Sequence, residues 1–218
     1  MNSKKLKETM DYKNFAIRIL FSTLFLVIYL ILFFYYSDKI IILVSLVYLI
    51  ILIEILLYFK KFKNILIIYL LFSYFFVIIY FNYNFNLFEF TALILCITCF
   101  DSFCYLVGKK FGKNKIFLIS PNKTYEGLLG GILISNFLVI ISYLLFDYSK
   151  VIFNLNLIIL NNIVIFFSFF GDLIQSYFKR MNDLKDSSNF IPGHGGFFDR
   201  FDSFLLVIIP FSIISFLF

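Results

Sequence analysis

The sequence predicts an all-α integral membrane protein that crosses the bilayer about seven times. Of its 218 residues, 62% are hydrophobic and 15% are charged, and a single water-soluble globule cannot bury so much apolar surface. An α-helix needs about 20 mainly apolar residues to cross the hydrocarbon core. Seven stretches approach or exceed that length: residues 16–36, 40–59, 64–81, 87–107, 127–146, 151–171 and 203–218.

The first stretch is predicted to be a retained helix. It follows a basic head that runs from Lys4 to Arg18, as the apolar part of a signal peptide would. Its apolar run is too long for a signal peptide, and no small-residue cleavage site follows it.

Basic residues divide the connecting segments between the two sides of the membrane. Segments 1–18, 60–63, 108–126 and 172–202 carry 17 Lys and Arg residues, whereas the opposite side has only Lys39 and Lys150. Cytoplasmic loops of membrane proteins accumulate Lys and Arg. The pattern therefore predicts that the N-terminus is cytoplasmic and the C-terminus outside, and we expect the membrane to be a bacterial inner membrane.

The chain is predicted to have two regions. Residues 1–86 form the first three spans, and residues 87–218 form a catalytic region with the long cytoplasmic loops 108–126 and 172–202. The outer connections are too short to fold or bind alone, so the active site is expected at the cytoplasmic interface.

Three acidic residues, Glu54, Glu89 and Asp101, lie within or beside the apolar spans. A carboxylate in the membrane is costly, so each is a candidate functional residue. Glu54 and Glu89 lie near span ends, where water or a neighbouring helix can reach them, and a structural role is favoured for both. Asp101 lies shortly before the basic loop, and a functional role stays open beside a structural one.

Small residues favour close helix packing in the middle of the chain. Gly127, Gly131 and Ser135 recur every four residues, which lets another helix approach closely, and packing within the chain is favoured over a dimer contact. The three cysteines, all within one apolar span, are interpreted as packing residues. No second cysteine pair completes a zinc site with Cys96 and Cys99.

Charge is concentrated between Ser176 and Asp202. This stretch of 27 residues holds four cations, four carboxylates, the only histidine and three of the nine glycines. If residues 172–181 are helical, Asp172, Ser176 and Arg180 share one face. Carboxylates suit a hard cation such as Mg²⁺, and Lys and Arg neutralise phosphate. The set is typical of phosphoryl or nucleotidyl transfer, although a salt-bridged loop against lipid headgroups remains an alternative.

Two sequence runs resemble the phosphatidate cytidylyltransferase family, also called CDP-diacylglycerol synthases. The signature S-x-x-K-R, K-D, a small residue, P-x-H-G-G and D-R-x-D is matched by Ser176, Lys179, Arg180, Lys185, Asp186, Ser188, Pro192, His194, Gly195, Gly196, Asp199, Arg200 and Asp202. Upstream, the resemblance extends to Gly171, Asp172 and a D-S, G-K-x-F-G-K and S-P-x-K-T-x-E-G run through Asp101, Ser102, Gly108, Lys109, Gly112, Lys113, Ser120, Pro121, Lys123, Thr124, Glu126 and Gly127.

Three positions depart from the family pattern. Gln175 replaces the usual Glu, Asp183 replaces Gly and Asn122 replaces Lys. The first substitution removes a carboxylate beside the expected metal ligands.

The resemblance implies that CTP and phosphatidic acid react to give CDP-diacylglycerol and pyrophosphate. It implies Mg²⁺ at Asp172, Asp199 and Asp202, with a second, monovalent cation as a further expectation. Catalytic roles are expected for Lys179, Arg180, Lys185, Asp186, His194 and Arg200. Substrate binding is expected for Asp101, Lys113, Ser120, Lys123, Thr124, Glu126, Ser176, Gly195 and Gly196. Membrane lipids and a homodimer are expected partners, and nucleic acid is not.

Two other functions stay open. One is CTP-dependent activation of a different lipid phosphate, and the other is a non-catalytic lipid-binding or transport protein of the same fold. Release of pyrophosphate from CTP, with and without phosphatidic acid, distinguishes them.

Overall fold

The computed structural model describes residues 20, 23–116, 123–145, 155–191 and 195–217. Within them the regular structure is helical, which confirms the all-α class. The α-helices are α1 (Thr23–Tyr35), α2 (Ile40–Tyr58), α3 (Lys63–Tyr83), α4 (Leu87–Phe111), α5 (Tyr125–Leu145), α6 (Leu155–Met181) and α7 (Phe198–Leu217). A short 3₁₀ turn, Ser37–Lys39, joins α1 to α2.

Five of these helices, α2 to α6, are long and apolar enough to cross a membrane. The protein is therefore an integral membrane protein, as its composition predicts. The described part of α1 is shorter, and α7 carries Asp199, Arg200 and Asp202 in its first two turns. That these two helices also cross the membrane stays a prediction.

The chain forms two compact units. The first comprises Met1–Leu70 and Met181–Arg200, and the second comprises Leu71–Arg180 and Phe201–Phe218. The chain passes from one unit to the other within α3, at the end of α6 and within α7. The predicted boundary after residue 86 separates the first three spans from a catalytic region, and it stays a prediction.

Several helices extend further than the hydrophobic pattern predicts. Helix α4 continues to Phe111, α6 continues to Met181, and α7 already begins at Phe198. Residues 172–181 are thus helical, as the shared face of polar residues requires. The predicted loops are correspondingly shorter, and several of their charged residues lie on helix ends.

The second unit packs α4 directly against α5. A Cβ built on Gly127 would lie 2.6 Å from the Cys104 carbonyl oxygen, and one on Gly131 would lie 3.1 Å from the Phe100 ring and 3.2 Å from Cys104. Gly127 and Gly131 therefore face α4, and at Gly127 a side chain would collide with the α4 backbone, a collision that small residues avoid in closely packed helices. Packing within the chain is confirmed, and Cys104 is a packing residue.

Aromatic residues form the core at the α3–α4 turn. Tyr80 is fully buried, and its ring centroid lies 5.3 Å from that of Phe211. Its hydroxyl donates to the Asn86 carbonyl oxygen at 3.1 Å. The Asn86 side chain in turn accepts from the Glu89 backbone N–H at 3.4 Å and caps α4. Glu89 thus lies in the first turn of α4, where a negative charge is favourable.

Candidate active site

Asp172 forms an ion pair with Lys123 in the second unit. Lys123 Nζ lies 2.8 Å from Asp172 Oδ2, and the two side chains are 12% and 33% exposed. The same ammonium donates to the Phe169 carbonyl oxygen at 3.1 Å and lies 4.1 Å from the centroid of the Phe169 ring. Lys123 therefore ties the segment before α5 to α6.

Asp101 lies where α4, α6 and α7 meet. Ser168 Oγ donates to Asp101 Oδ1 at 3.3 Å, and Ser203 Oγ donates to Oδ2 at 3.2 Å. Both serines are buried, whereas Asp101 keeps exposed surface. The carboxylate is thus held by two hydroxyls and remains accessible to a ligand.

Gly171 brings the backbones of α6 and α7 together. A Cβ at this position would lie 2.7 Å from the Asp202 carbonyl oxygen and 3.0 Å from Ser203 Cα. These are backbone atoms that cannot rotate away, so glycine is required for this approach. Because Asp172 follows Gly171 directly, the close contact also brings Asp172 towards Asp202.

Three carboxylates and two cations share this part of the unit. Asp202 is close enough to Asp101 and Asp172 to be repelled by both, and it is attracted by Lys179. Asp101 also interacts with Lys123. Three different helices contribute one carboxylate each: Asp101, Asp172 and Asp202. We call these three residues the acidic cluster.

The polar face of α6 continues beyond Asp172. Ser176 Oγ donates to Asp172 Oδ1 at 3.3 Å, which confirms that these two residues share a face. Arg180, one turn further on, is exposed, and Gln175 is buried.

The segment between α4 and α5 is held by backbone contacts at both ends. Lys115 and Thr124 form an antiparallel bridge, and the Tyr125 N–H donates to the Asn114 carbonyl oxygen at 3.0 Å. Thr124 Oγ1 accepts from the Gly127 N–H at 3.1 Å and caps α5. Thr124 therefore has a structural role, and its predicted contact with substrate stays a prediction.

Glu126 fixes the residues that follow α4. Its carboxylate accepts from the backbone N–H of Lys113 at 3.1 Å and from that of Asn114 at 3.3 Å. It also accepts from Asn114 Nδ2 at 3.1 Å. These contacts leave the Lys113 side chain exposed at the edge of the unit.

Glu54 holds the start of α7 in the first unit. It is fully buried on α2 and accepts from Ser188 Oγ and the Phe197 N–H, each at 2.7 Å, through Oε1. Through Oε2 it accepts from the Phe198 N–H at 2.9 Å and from Ser187 Oγ at 3.2 Å. A single side chain thus lies within hydrogen-bond distance of four donors, two on each side of the glycine-rich segment, which we define as residues 193–196.

Asp199 makes a second set of contacts to the same segment. Its Oδ2 accepts from the Ser187 N–H at 2.7 Å, from Ser187 Oγ at 3.0 Å and from the Gly196 N–H at 3.1 Å. Ser187 Oγ is therefore within hydrogen-bond distance of both Glu54 and Asp199, although it has one proton to donate.

The two glycines before α7, Gly195 and Gly196, lie so close to the carboxylates of Asp199 and Glu54 that no side chain fits there. Gly195 has φ +81°, and a Cβ there would lie 2.7 Å from Asp199 Oδ2 and 3.2 Å from Asp186 Cβ. A Cβ on Gly196 would lie 2.5 Å from Glu54 Oε2. Both positions therefore exclude larger residues for steric reasons, whatever they contact in substrate.

The end of α6 is joined to the α2–α3 turn. Asn182 Oδ1 accepts from the backbone N–H of Lys60 at 2.8 Å and from that of Lys61 at 2.7 Å. Asp183 follows with φ 59°, in the left-handed region that glycine adopts without strain. This explains why a glycine suits this position. Segments 60–63 and 182–183 lie together, as the topology predicts.

The structure sorts the sequence-predicted site residues into groups. Six of them belong to the second unit: Asp101, Lys123, Asp172, Ser176, Lys179 and Asp202. Three others belong to the first unit: Gly195, Gly196 and Asp199. Lys185, Asp186 and Arg200 are exposed. Ser120 and His194 lie outside the described residues. The catalytic, substrate-binding and metal roles of all these residues stay predictions.

Two serines of these networks were not predicted from the sequence. Ser168 lies one turn before Asp172 on α6, and Ser203 directly follows the D-R-x-D run, but serines within apolar spans are too common to single out. Glu54 was visible as a membrane carboxylate. Its four donors lie more than 130 positions away along the chain, so nothing nearby identified its role.

The donor chemistry of the acidic cluster is suited to a hard cation. Carboxylate oxygens are the ligands that Mg²⁺ takes from proteins, usually one or two of them together with water and substrate phosphates. Among the described residues no three acidic, His or Cys side chains are arranged to hold a metal by themselves. A bound ion would therefore need oxygens of water and substrate as additional ligands.

The chain is similar to known cytidylyltransferases. A family model described as "Cytidylyltransferase family" matches residues 4–218. A phosphatidate cytidylyltransferase of Staphylococcus haemolyticus is 44% identical over 112 residues, which are 50% of this chain and 41% of the relative. Those of Staphylococcus aureus strain COL and Staphylococcus epidermidis are 46% identical over 112 residues and 43% identical over 121 residues. These two matches cover 50% and 55% of this chain, and 41% and 45% of the relatives. The chain thus aligns with less than half the length of these curated relatives.

Proposed function

Because the chain belongs to the cytidylyltransferase family, we propose that it transfers the cytidylyl group of CTP to phosphatidic acid. A phosphate oxygen of phosphatidic acid attacks the α-phosphorus of CTP and forms a new P–O bond. The bond from the α-phosphorus to the bridging oxygen breaks, and pyrophosphate leaves with the electron pair. The products are CDP-diacylglycerol and pyrophosphate.

The observation that carries this proposal is the acidic cluster with Lys123. Asp101 and Asp172 lie on helices long and apolar enough to cross a membrane, where charged side chains are costly and usually serve a function. A reaction between a lipid phosphate and a nucleotide needs such a polar site next to the bilayer. Asp101 in particular keeps exposed surface.

The cations nearby would bind and orient the phosphates. Lys179 at the end of α6 and the exposed Arg180 supply positive charge, and Arg can bind phosphate oxygens in a bidentate manner. Because Lys123 is paired with Asp172, we propose that Lys123 holds the Asp172 carboxylate in place. Positioning and neutralisation of charge account for most of the catalysis in transfers of this kind.

Mg²⁺ is part of the proposal, with Asp172 and Asp202 as its protein ligands and a monovalent cation as a second ion. Asp199, the third predicted ligand, contributes through the loop that it organises. A bound ion would neutralise the phosphates of CTP and the repulsion within the acidic cluster.

We further propose that loops 108–126 and 172–202 face the cytoplasm of a bacterium, with the C-terminus outside the inner membrane. The support is the distribution of 17 basic residues against 2. CTP would then be available on the side where the site opens. A homodimer in the membrane is also proposed.

The test is release of pyrophosphate from CTP by the purified protein in mixed micelles. We expect release that depends on phosphatidic acid, with no release when diacylglycerol replaces it, because only the phosphate can attack. Release with an isoprenoid phosphate alone would indicate a different lipid substrate. Absence of release with every lipid phosphate would refute the proposal.

A further inference from the structure

We infer that Glu54 is a positioning residue for the reaction, and that it acts by holding the residues on both sides of the glycine-rich segment. This inference rests on the proposed function. Glu54 lies on α2, outside the two sequence runs that resemble the family.

The hydrogen-bond geometry shows why a carboxylate is needed. Each oxygen of Glu54 lies within hydrogen-bond distance of one serine hydroxyl and one backbone N–H: those of Ser188 and Phe197 at Oε1, and those of Ser187 and Phe198 at Oε2. A hydroxyl can turn to accept a bond instead. A backbone N–H cannot, so both oxygens must be acceptors.

The side chain also joins two parts of the segment that the chain separates. Ser187 and Ser188 precede the glycines, and Phe197 and Phe198 follow them and begin α7. Glu54 is fully buried, so water does not compete for these bonds. The negative charge at the N-terminus of α7 is favourable in addition.

The contact with Ser187 connects Glu54 to Asp199. Ser187 Oγ lies 3.2 Å from Glu54 Oε2 and 3.0 Å from Asp199 Oδ2, and the Ser187 N–H donates to Asp199 at 2.7 Å. Displacement of Ser187 would therefore change the orientation of the Asp199 carboxylate. Small displacements of a positioned group can reduce a rate by about 100-fold.

Glu54→Gln is the most direct test, because it preserves size while replacing one acceptor oxygen by an NH₂ group. In either orientation the amide NH₂ faces a backbone N–H. We expect kcat to fall on the order of 10- to 100-fold, with a smaller change in the KM for CTP. Hydrogen exchange at the amides of residues 187–191 and 195–198 should become faster, while exchange in α4 and α5 stays unchanged. Glu54→Asp, which keeps both oxygens, should be intermediate.

Ser73→Ala is the matched control. It removes a buried hydroxyl that donates to the Leu205 carbonyl oxygen at 2.6 Å, within the second unit, and should leave both kcat and the exchange of residues 187–191 and 195–198 unchanged. If Glu54→Gln does not fold, Ser188→Ala removes one donor to Oε1 and should produce the same changes to a smaller extent.

The inference is overturned if the folded Glu54→Gln protein retains wild-type kcat, or if exchange at residues 187–191 and 195–198 does not change. Wild-type protein that releases no pyrophosphate overturns the proposed reaction. In that case the exchange comparison still decides whether Glu54 holds the segment.

Discussion

Lys123 Nζ lies 2.8 Å from Asp172 Oδ2, in an ion pair whose lysine side chain is only 12% exposed. The sequence predicts both residues as parts of the site, one for substrate and one for a metal. Their pairing means that neither is a free ligand in this structure, and that each determines where the other lies.

Lys123→Met should therefore lower both stability and activity. It leaves Asp172 without its cation, and loss of one partner of a buried pair costs several kcal/mol. Since Asp172 is one third exposed, we expect about 1–3 kcal/mol after screening by water. The measurement is thermal unfolding in detergent, with Lys110→Met as the exposed control. Adding Asp172→Asn to Lys123→Met should restore stability but not activity; strictly additive losses would contradict the coupling.

Gly171→Ala should separate α6 from α7. Its Cβ would lie 2.7 Å from the Asp202 carbonyl oxygen, and such overpacking costs about 1–3 kcal/mol. Activity should fall with stability because Asp172 and Asp202 move apart. Gly130→Ala is a useful comparison, since its Cβ would meet only the Val107 side chain. Equal effects of the two substitutions on activity would contradict this explanation.

Asp202→Asn should abolish turnover without destabilising the fold. The substitution removes the repulsion of Asp202 by Asp172 and Asp101, so the unfolding temperature should stay the same or rise. Asp199→Asn should also abolish turnover but lower the unfolding temperature, because its Oδ2 accepts from the backbone N–H groups of Ser187 and Gly196. Near-normal activity of Asp202→Asn would remove Asp202 from the proposed metal site, and near-normal activity of Asp199→Asn would show that the loop held by Asp199 does not contribute to turnover.

Substitutions of Asp183 test the cost of the left-handed backbone conformation that follows α6. Its φ of 59° costs an L-residue about 1 kcal/mol, less for Asp than for most residues. We expect the Asp183→Gly variant to be more stable than the wild type and the Asp183→Ala variant to be less stable. The ion pair with Lys61 spans 3.8 Å and both side chains are largely exposed, so its loss should contribute little. Higher stability of the alanine variant than of the glycine variant would contradict the strain argument.

Gln175→Glu should lower the concentration of divalent or monovalent cation that activity requires. Gln175 lies one turn from Asp172 on α6 and is buried, and a carboxylate there would add a charge beside the proposed ion. Gln175→Met, which has no oxygen, should raise the requirement. The measurement is a cation titration at fixed CTP and phosphatidic acid. Superimposable curves would place residue 175 outside the metal site.

The sequence predicts the helical class and most of the helix positions, because both depend on the length of apolar stretches. It places the helix ends less well. Residues 172–181 include the charged residues Asp172, Lys179 and Arg180 yet continue α6 to Met181, and the contact of Lys123 with Asp172 holds this part of the helix.

The candidate site was predictable only where its residues form short motifs. Glycines at 195 and 196 and the aspartates near them are recognisable together, but the contact of Glu54 with Ser187 links positions far apart in the chain. Hydrogen bonds between distant residues leave no periodic pattern. Ser168 and Ser203 escaped prediction for the same reason.

The proposed transfer of a cytidylyl group to a lipid phosphate can be followed by the movement of label from CTP to lipid. Wild-type and Asp202→Asn proteins would be reconstituted in vesicles containing phosphatidic acid and supplied with cytidine-labelled CTP. We expect label to enter the lipid phase as CDP-diacylglycerol with wild-type protein, in equal amount to the pyrophosphate released, and not with Asp202→Asn. Label that remains wholly in the aqueous phase with folded wild-type protein would contradict it.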